Sequence, residues 1–335
     1  AEVRREILRA LPFLGEAAEK AIPQVARWLT DGELRAEAAA ALARFGKKAI
    51  PALAEAARHA SHRVRAAAIQ ALAAVDRAVD EKLPVLVAAL KDESAYVRYL
   101  ACEALEALGA RARPALAALR ERLADETEGV RVAAARAMYA AGERGAELAP
   151  AFVEGLTSRT ITLFEDMDER LVALGADAVP ALADAMGRME AVWLAEVCAT
   201  IGKPAVPALL KGLENPKPSS RRAALEGLLA VEADDPSLLE AIAARLKDED
   251  RTVRAAAARA LVPFAKTCPD ALVERALPDL IAFFDRTAYY SDEQQAVHEA
   301  LVGIGKIALP ALRARLAEEE DAEIRQLIHR IESAE

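Results

Sequence analysis

Aromatic residues are scarce in this chain: Phe, Tyr and Trp together make up 4% of its 335 residues. A core built around large rings is therefore excluded. Cysteine is almost missing too. Cys102, Cys198 and Cys268 lie far apart and offer neither a disulfide framework nor CxxC metal spacing. A reducing compartment, the cytoplasm, is the default expectation. No apolar run is long enough to span a bilayer, and no signal peptide is visible, so no membrane contact is expected. An excess of positive charge is also lacking. The net charge is −9 at pH 7, which argues against a general nucleic-acid or anionic-membrane binder, since phosphate contacts need clustered Lys and Arg. No GxGxxG, P-loop, HExxH or GxSxG motif is present, and four scattered histidines (His59, His62, His298, His329) make no case for a catalytic triad.

What the chain does have is repetition. The stretch from Asp92 to Gly109, DESAYVRYLACEALEALG, recurs down the whole sequence. With Val97 as position 1, positions 1, 5, 8, 9 and 12 fall on one stripe of a helix. They are Val97, Ala101, Ala104, Leu105 and Leu108, all apolar. Positions 3, 7 and 10 (Tyr99, Glu103, Glu106) fall opposite. Position 13 is Gly109, suited to ending a helix in the left-handed conformation. The terminating position recurs at Gly15, Gly46, Asp76, Gly109, Gly142, Gly175, Gly202, Val231, Ala265 and Gly305. An earlier helix in each unit is opened by a proline (Pro23, Pro51, Pro84, Pro114, Pro150, Pro180, Pro207, Pro278, Pro310), tolerated where the N–H has no helical partner. Each unit thus reads as helix A, a turn, helix B and a stop.

The A–B turn often carries an acid and position 2 often carries Arg: Asp31 with Arg35, Asp92 with Arg98, Asp125 with Arg131, Asp248 with Arg254. The acid is placed to cap helix B, and the Arg to bridge to an acid in the next repeat. Structural stacking is the expected role.

The pattern P-x-L followed by D-x-x-x-V-R-x-x-A-A-x-A-L-x-x-L-G resembles HEAT repeats, in the short bacterial form named after phycobilisome-lyase HEAT-like repeats. Val64–Val75, Val97–Gly109, Val130–Gly142 and Val253–Ala265 are the closest copies. The resemblance implies an all-α, right-handed α-solenoid of about ten stacked repeats, with B helices lining a concave side. The whole chain, 1–335, is expected to be one such domain. It starts inside a B helix, as a piece of a longer chain would, and ends in a capping helix over 322–335, where Glu332 replaces the usual position-9 Leu.

Three places depart from the pattern: the acidic run Glu165, Asp166, Asp168, Glu169; the prolines Pro216 and Pro218; and a long turn carrying Tyr289 and Tyr290. Irregular turns are where a solenoid adds function. The acidic run lacks the Gly-containing loop of a calcium site and reads as a solvated or partner-facing surface. Deoxyhypusine hydroxylase, a HEAT-like enzyme, holds two irons with several His-Glu dipeptides. This chain has one, His298-Glu299, so no metal or other cofactor is expected.

The outward positions carry the functional expectation. Through the middle of the chain Tyr99, Val132, Tyr139, Val172, Val192 and Leu229, with Trp193 at the edge, form an apolar strip. Glu103, Glu106, Glu169, Glu196 and Glu226 rim it, with Arg136 among them. Such a strip suits a partner protein or peptide with basic flanks. The leading expectation is a non-catalytic binding scaffold with no nucleic-acid partner. The alternative is a HEAT-like enzyme or accessory lyase, similar to phycobilin lyases, acting on a tetrapyrrole or a modified protein.

Overall fold

The computed structural model describes residues 2–158, 166–190, 192–231, 235, 237–263, 270–284, 292–318 and 321–333. Every regular element among them is a helix. After α1 (Glu2–Ala10) and the short α2 (Glu16–Glu19), A and B helices alternate along the chain. They are α3 (Ile22–Arg27) with α4 (Arg35–Arg44), α5 (Ile50–Ala56) with α6 (His62–Ala74), α7 (Val79–Ala89) with α8 (Ala95–Leu108), and α9 (Leu116–Arg122) with α10 (Glu128–Ala140). Next are α11 (Ala149–Thr157) with α12 (Met167–Leu174), α13 (Val179–Arg188) with α14 (Val192–Ile201), and α15 (Val206–Leu213) with α16 (Pro218–Ala230). The last are α17 (Ser237–Ala244) with α18 (Arg251–Leu261), α19 (Asp270–Phe284) with α20 (Asp292–Ile304), and α21 (Leu309–Glu318) with α22 (Ala322–Ser333).

Contacts divide the chain into two compact units, Ala1–Met167 and Asp168–Glu335. Each is an α-solenoid. In the first, α4 packs on α6, α6 on α8 and α8 on α10; in the second, α14 packs on α16, α16 on α18 and α18 on α20. In α8 the whole apolar stripe is buried, but so are Arg98, Leu100 and Cys102. The buried arc is wider than the stripe because α8 packs on its own A helix and on a B helix at either side. Small residues at Ala101 and Ala104 allow that close approach.

The stops behave as their residue type demands. Gly15, Gly46, Gly109, Gly142, Gly175, Gly202 and Gly305 all have positive φ. The unit ending at Asp76 has no glycine, and its turn is instead made by Arg77 (φ 59°) and Ala78 (φ 50°). Lys82, 3% exposed, is recruited there: its Nζ donates to Val75 O at 2.7 Å, at the carbonyl end of α6. Burial, and then the charge of Arg111, lowers its pKa. Val231 ends α16 in the right-handed region, and Ala265 lies outside the described residues. Pro23, Pro51, Pro150, Pro180 and Pro207 occupy first turns of A helices. Pro84 and Pro278 instead lie inside α7 and α19, which begin further upstream.

A ladder of arginines ties each repeat to the next. The Arg98 guanidinium donates to Asp92 O (2.9 Å) and Glu93 O (3.1 Å) in its own turn. It also donates through Nε and Nη2 to both carboxylate oxygens of Asp125, each at 2.8 Å, in the following turn. Asp125 in turn accepts from Thr127 N–H at 3.1 Å and so fixes that turn. Arg65 does the same with Asp92, and Arg221 with Asp248. The side chains of these pairs are 10% exposed or less. The bidentate geometry and satisfied carbonyls are what make a buried pair tolerable. Of the Asp–Arg pairs read from sequence, Asp92–Arg98, Asp125–Arg131 and Asp248–Arg254 meet through the Asp backbone carbonyl. The carboxylate of each Asp serves an Arg of the repeat before it or its own turn. Asp31 and Arg35 do not meet, since Arg35 donates to Leu29 O and Thr30 O and the Asp31 carboxylate accepts from Glu33 N–H.

Two rungs show the rule by their repairs. Ser158 stands where the next acid belongs, and Arg131 turns to Glu154 at 2.8 Å. Ala191 stands where an Arg belongs, and the acid opposite is replaced by Asn215, 1% exposed. Its Nδ2 donates to Met186 O (2.7 Å) and Met189 O (3.0 Å), meeting turn carbonyls without burying an unpaired charge.

Candidate interaction surface

The outward positions are best followed unit by unit. In the first unit, Tyr99, Glu103 and Glu106 lie on α8, with Val132, Arg136 and Tyr139 on the neighbouring α10. Val132 is 0% exposed, which corrects its placement on the surface strip. It packs toward α11, where a Cβ on Gly155 would stand 3.1 Å from Val132 Cγ1. The helix angle puts position 3 outward, but the next A helix covers it here. The half-buried Tyr99 hydroxyl donates to Glu103 Oε1 at 2.8 Å. Burial, and then the Glu103 hydrogen bond and charge, push its pKa up to about 12. Arg136 Nε donates to Glu106 Oε1 at 3.1 Å across the two helices. The Tyr139 ring is covered by the Arg144 guanidinium, 3.6 Å from the centroid, with Phe152 edge-on at 5.9 Å. The first-unit acids named from sequence are thus already engaged within the chain.

The second unit differs. Trp193 on α14 is 44% exposed, and Glu196, three residues on along the same helix, is exposed beside it. On the adjacent α16, Glu226 is exposed, 3.7 Å from Arg222 Nε, and Leu229 is half-buried, as is Val192 on α14. Glu169 on α12 is exposed with Asp166 and Asp168. Glu165, Tyr289 and Tyr290 lie outside the described residues.

His298 and Glu299 on α20 differ in burial. His298 is half-buried, and burial lowers its pKa. Glu299 is exposed, accepts from Gln295 Nε2 at 2.9 Å and lies 3.6 Å from Arg259 Nε. Among the described residues no three His, Cys, Asp or Glu gather as a metal site would require. Cys102 and Cys198 are buried free thiols; burial raises both, Cys198 to about 12.

Two grooves lie in the first unit. The larger, about 730 Å³, runs between α3 and α5, and its charges balance: Glu19 pairs with Lys48, and Arg27 and Glu55 also line it. The smaller, about 420 Å³, runs between α4 and α6. Ala36, Ala39, Ala66 and Ala67 floor it, and Arg35, His62, Arg63, Gln70 and Tyr96 rim it. Positions 3, 7 and 10 alone do not find this rim. Arg63 and Tyr96 occupy the position just before position 1, and the signal for them is a cation or ring standing there.

Paired helices stacked by a buried Arg–Asp ladder define an α-solenoid of short helical hairpins. The family model for HEAT repeats matches residues 1–73, 29–106, 83–161, 176–262 and 206–301. The chain belongs to the HEAT-repeat family. No curated protein matches it in sequence. A solved structure of a Kap121p mutant is similar at a TM-score of 0.55 and 14% identity, with 97% of this chain and 42% of that one covered. The chain therefore spans about two-fifths of that protein's structure, and the likeness is one of fold. Human deoxyhypusine hydroxylase in complex with glycerol is similar at a TM-score of 0.33 and 23% identity, over 74% of this chain and 97% of that one. An engineered protein is similar at 0.34 and 22%, over 98% and 94%. Similarity at these two TM-scores carries no argument about activity.

Proposed function

We propose that this chain is a non-catalytic, cytoplasmic scaffold that binds a protein or peptide on its B helices. Trp193 carries the reading. A large ring left 44% exposed on a chain so poor in aromatics fits an anchor for a partner. Its neighbour Glu196 is free of any ion pair among the described residues, and Glu169 is too. A partner bearing Lys or Arg beside an apolar anchor fits that chemistry. The net charge of −9 disfavours nucleic acid in this role. No described helix is long and apolar enough to cross a membrane.

The test is a direct affinity measurement with a partner recovered on the immobilised chain and then purified. Trp193→Ala is expected to weaken Kd by about tenfold or more, as loss of a central aromatic anchor does, with the helical circular dichroism unchanged. Glu196→Lys is expected to weaken a basic partner further. Unchanged affinity in both variants removes this face from the binding surface. A chromophore or metal co-purifying with the chain would instead favour the lyase or enzyme alternative.

A further inference from the structure

Arg35 lines the α4–α6 groove and stands at the register position of the ladder arginines Arg65, Arg98 and Arg221, but its rung lacks an acid. In complete rungs the accepting Asp stands five residues before position 1: Asp92 before Val97, Asp125 before Val130, Asp248 before Val253. The equivalent residue before Val64 is His59. It does the turn-fixing half of the acid's work, since its Nδ1 accepts from Ser61 N–H at 3.0 Å, as Asp125 accepts from Thr127. It supplies no negative charge to Arg35. That guanidinium donates to Leu29 O (2.7 Å) and Thr30 O (3.4 Å) in its own turn. Among the described residues it has no carboxylate partner, and its Nη1 makes no hydrogen bond.

Arg63 adds a second unpaired cation. It is exposed and has no ion pair or hydrogen bond among the described residues. No Asp or Glu lines the groove, although acids outnumber bases along the chain. The nearby Glu37 is already taken, 3.2 Å from Arg5 Nε. His62, and Tyr96 at 53% exposure, complete a polar and aromatic rim beside the buried Ala66 and Ala67.

We propose that this groove binds an acidic segment of a partner protein, one of whose carboxylates pairs with the open Nη1 edge of Arg35 from the groove side and supplies the charge that Asp92, Asp125 and Asp248 supply on the other rungs. The ligand class follows from the chain itself, because each of those three acids is held two-pronged by an arginine at this same register position. The proposal rests on the scaffold reading and adds a second, oppositely charged contact to it.

The full chain is to be titrated against a fluorescein-labelled peptide of four Ser-Glu repeats, its Ser-Gln counterpart and a short oligothymidylate, read by anisotropy at low and physiological salt. The Glu peptide is expected to bind and the Gln peptide to bind about tenfold more weakly or less, since the carboxylate is the recognised group. Arg63→Ala, an exposed change that leaves the fold alone, is expected to weaken the Glu peptide by about fivefold or more. His59→Asp restores the missing acid. It is expected to weaken the peptide similarly by engaging Arg35 internally, while raising the unfolding midpoint. Trp193→Ala is expected to leave this titration unchanged, which separates failure of the groove from failure of the Trp193 face. Equal binding of the Gln peptide, insensitivity to Arg63→Ala, or tighter binding of the oligothymidylate would overturn the proposal.

Discussion

At the scale of single residues, the pair Arg98–Asp125 decides more than any surface charge. Both side chains are nearly dry, at 7% and 2% exposure. Removing one partner strands the other. Arg98→Ala should therefore destabilise the first unit by about 3–5 kcal/mol, read as a lower midpoint in urea. An exposed pair such as Arg9–Glu6 should contribute about 1 kcal/mol or less when broken. The pair also sets an acid limit. Burial raises the Asp125 carboxyl, but the Arg98 hydrogen bond, the Thr127 N–H and the charges of Arg98 and Arg122 outweigh it and hold its pKa below the ordinary value. A depressed folded-state pKa gives stability that is present above the unfolded carboxylate value, about 3.9, and lost as pH falls through the folded one. Asp125→Asn should flatten the loss of stability below about pH 4, and a pH series of unfolding midpoints reads it.

At the scale of helices, two opposite outcomes follow from glycine and its absence. Gly212 lies within α15, and a Cβ there would meet Ala224 Cβ at 2.8 Å and Met186 Cε at 2.5 Å. Alanine normally gains about 1 kcal/mol over glycine in a helix, but the Ala224 contact joins two packed helices and cannot yield cheaply. Gly212→Ala should lose about 1–3 kcal/mol from overpacking. Ala78, by contrast, holds a left-handed conformation with a Cβ. Ala78→Gly should gain stability, by about 0.5–1 kcal/mol once the greater freedom of the unfolded glycine is subtracted from the strain relieved. Thermal melts of the two variants should move in opposite directions.

At the scale of the whole molecule, stability is a sum of neighbouring interfaces, so one broken core layer is felt across a unit. Leu105 is 0% exposed at the centre of α8. Leu105→Asp buries an unpaired carboxylate, a penalty of several kcal/mol by order of magnitude. The variant should lose cooperative unfolding and much of the first unit's protection from proteolysis. A soluble Leu105→Asp chain with a sharp, wild-type transition would show that the repeat register is wrong.

The sequence by itself determined the helices, their stops and their order. An apolar residue every third or fourth position has only one way to be buried, and a glycine after the last turn has only one conformation it alone adopts freely. The register also offered a position-2 arginine to the next repeat: of those named from sequence Arg98 reaches the acid of the following turn, and the structure adds Arg65 and Arg221. Tertiary structure alone decided which outward residues are free. Periodicity gives a side chain its angle around the helix, but not the depth of its neighbours. By angle Val132 faced outward at position 3 and Trp193 stood only at the edge of that face. The A helix α11, bearing Gly155, covers the first, while the second stays 44% exposed. Likewise Glu103 and Glu196 occupy the same register position. Only the first has a half-buried tyrosine hydroxyl bonded to it. The unfilled rung at Arg35 was written in the sequence as His59, but its meaning required seeing that each complete rung holds a carboxylate from the repeat that follows.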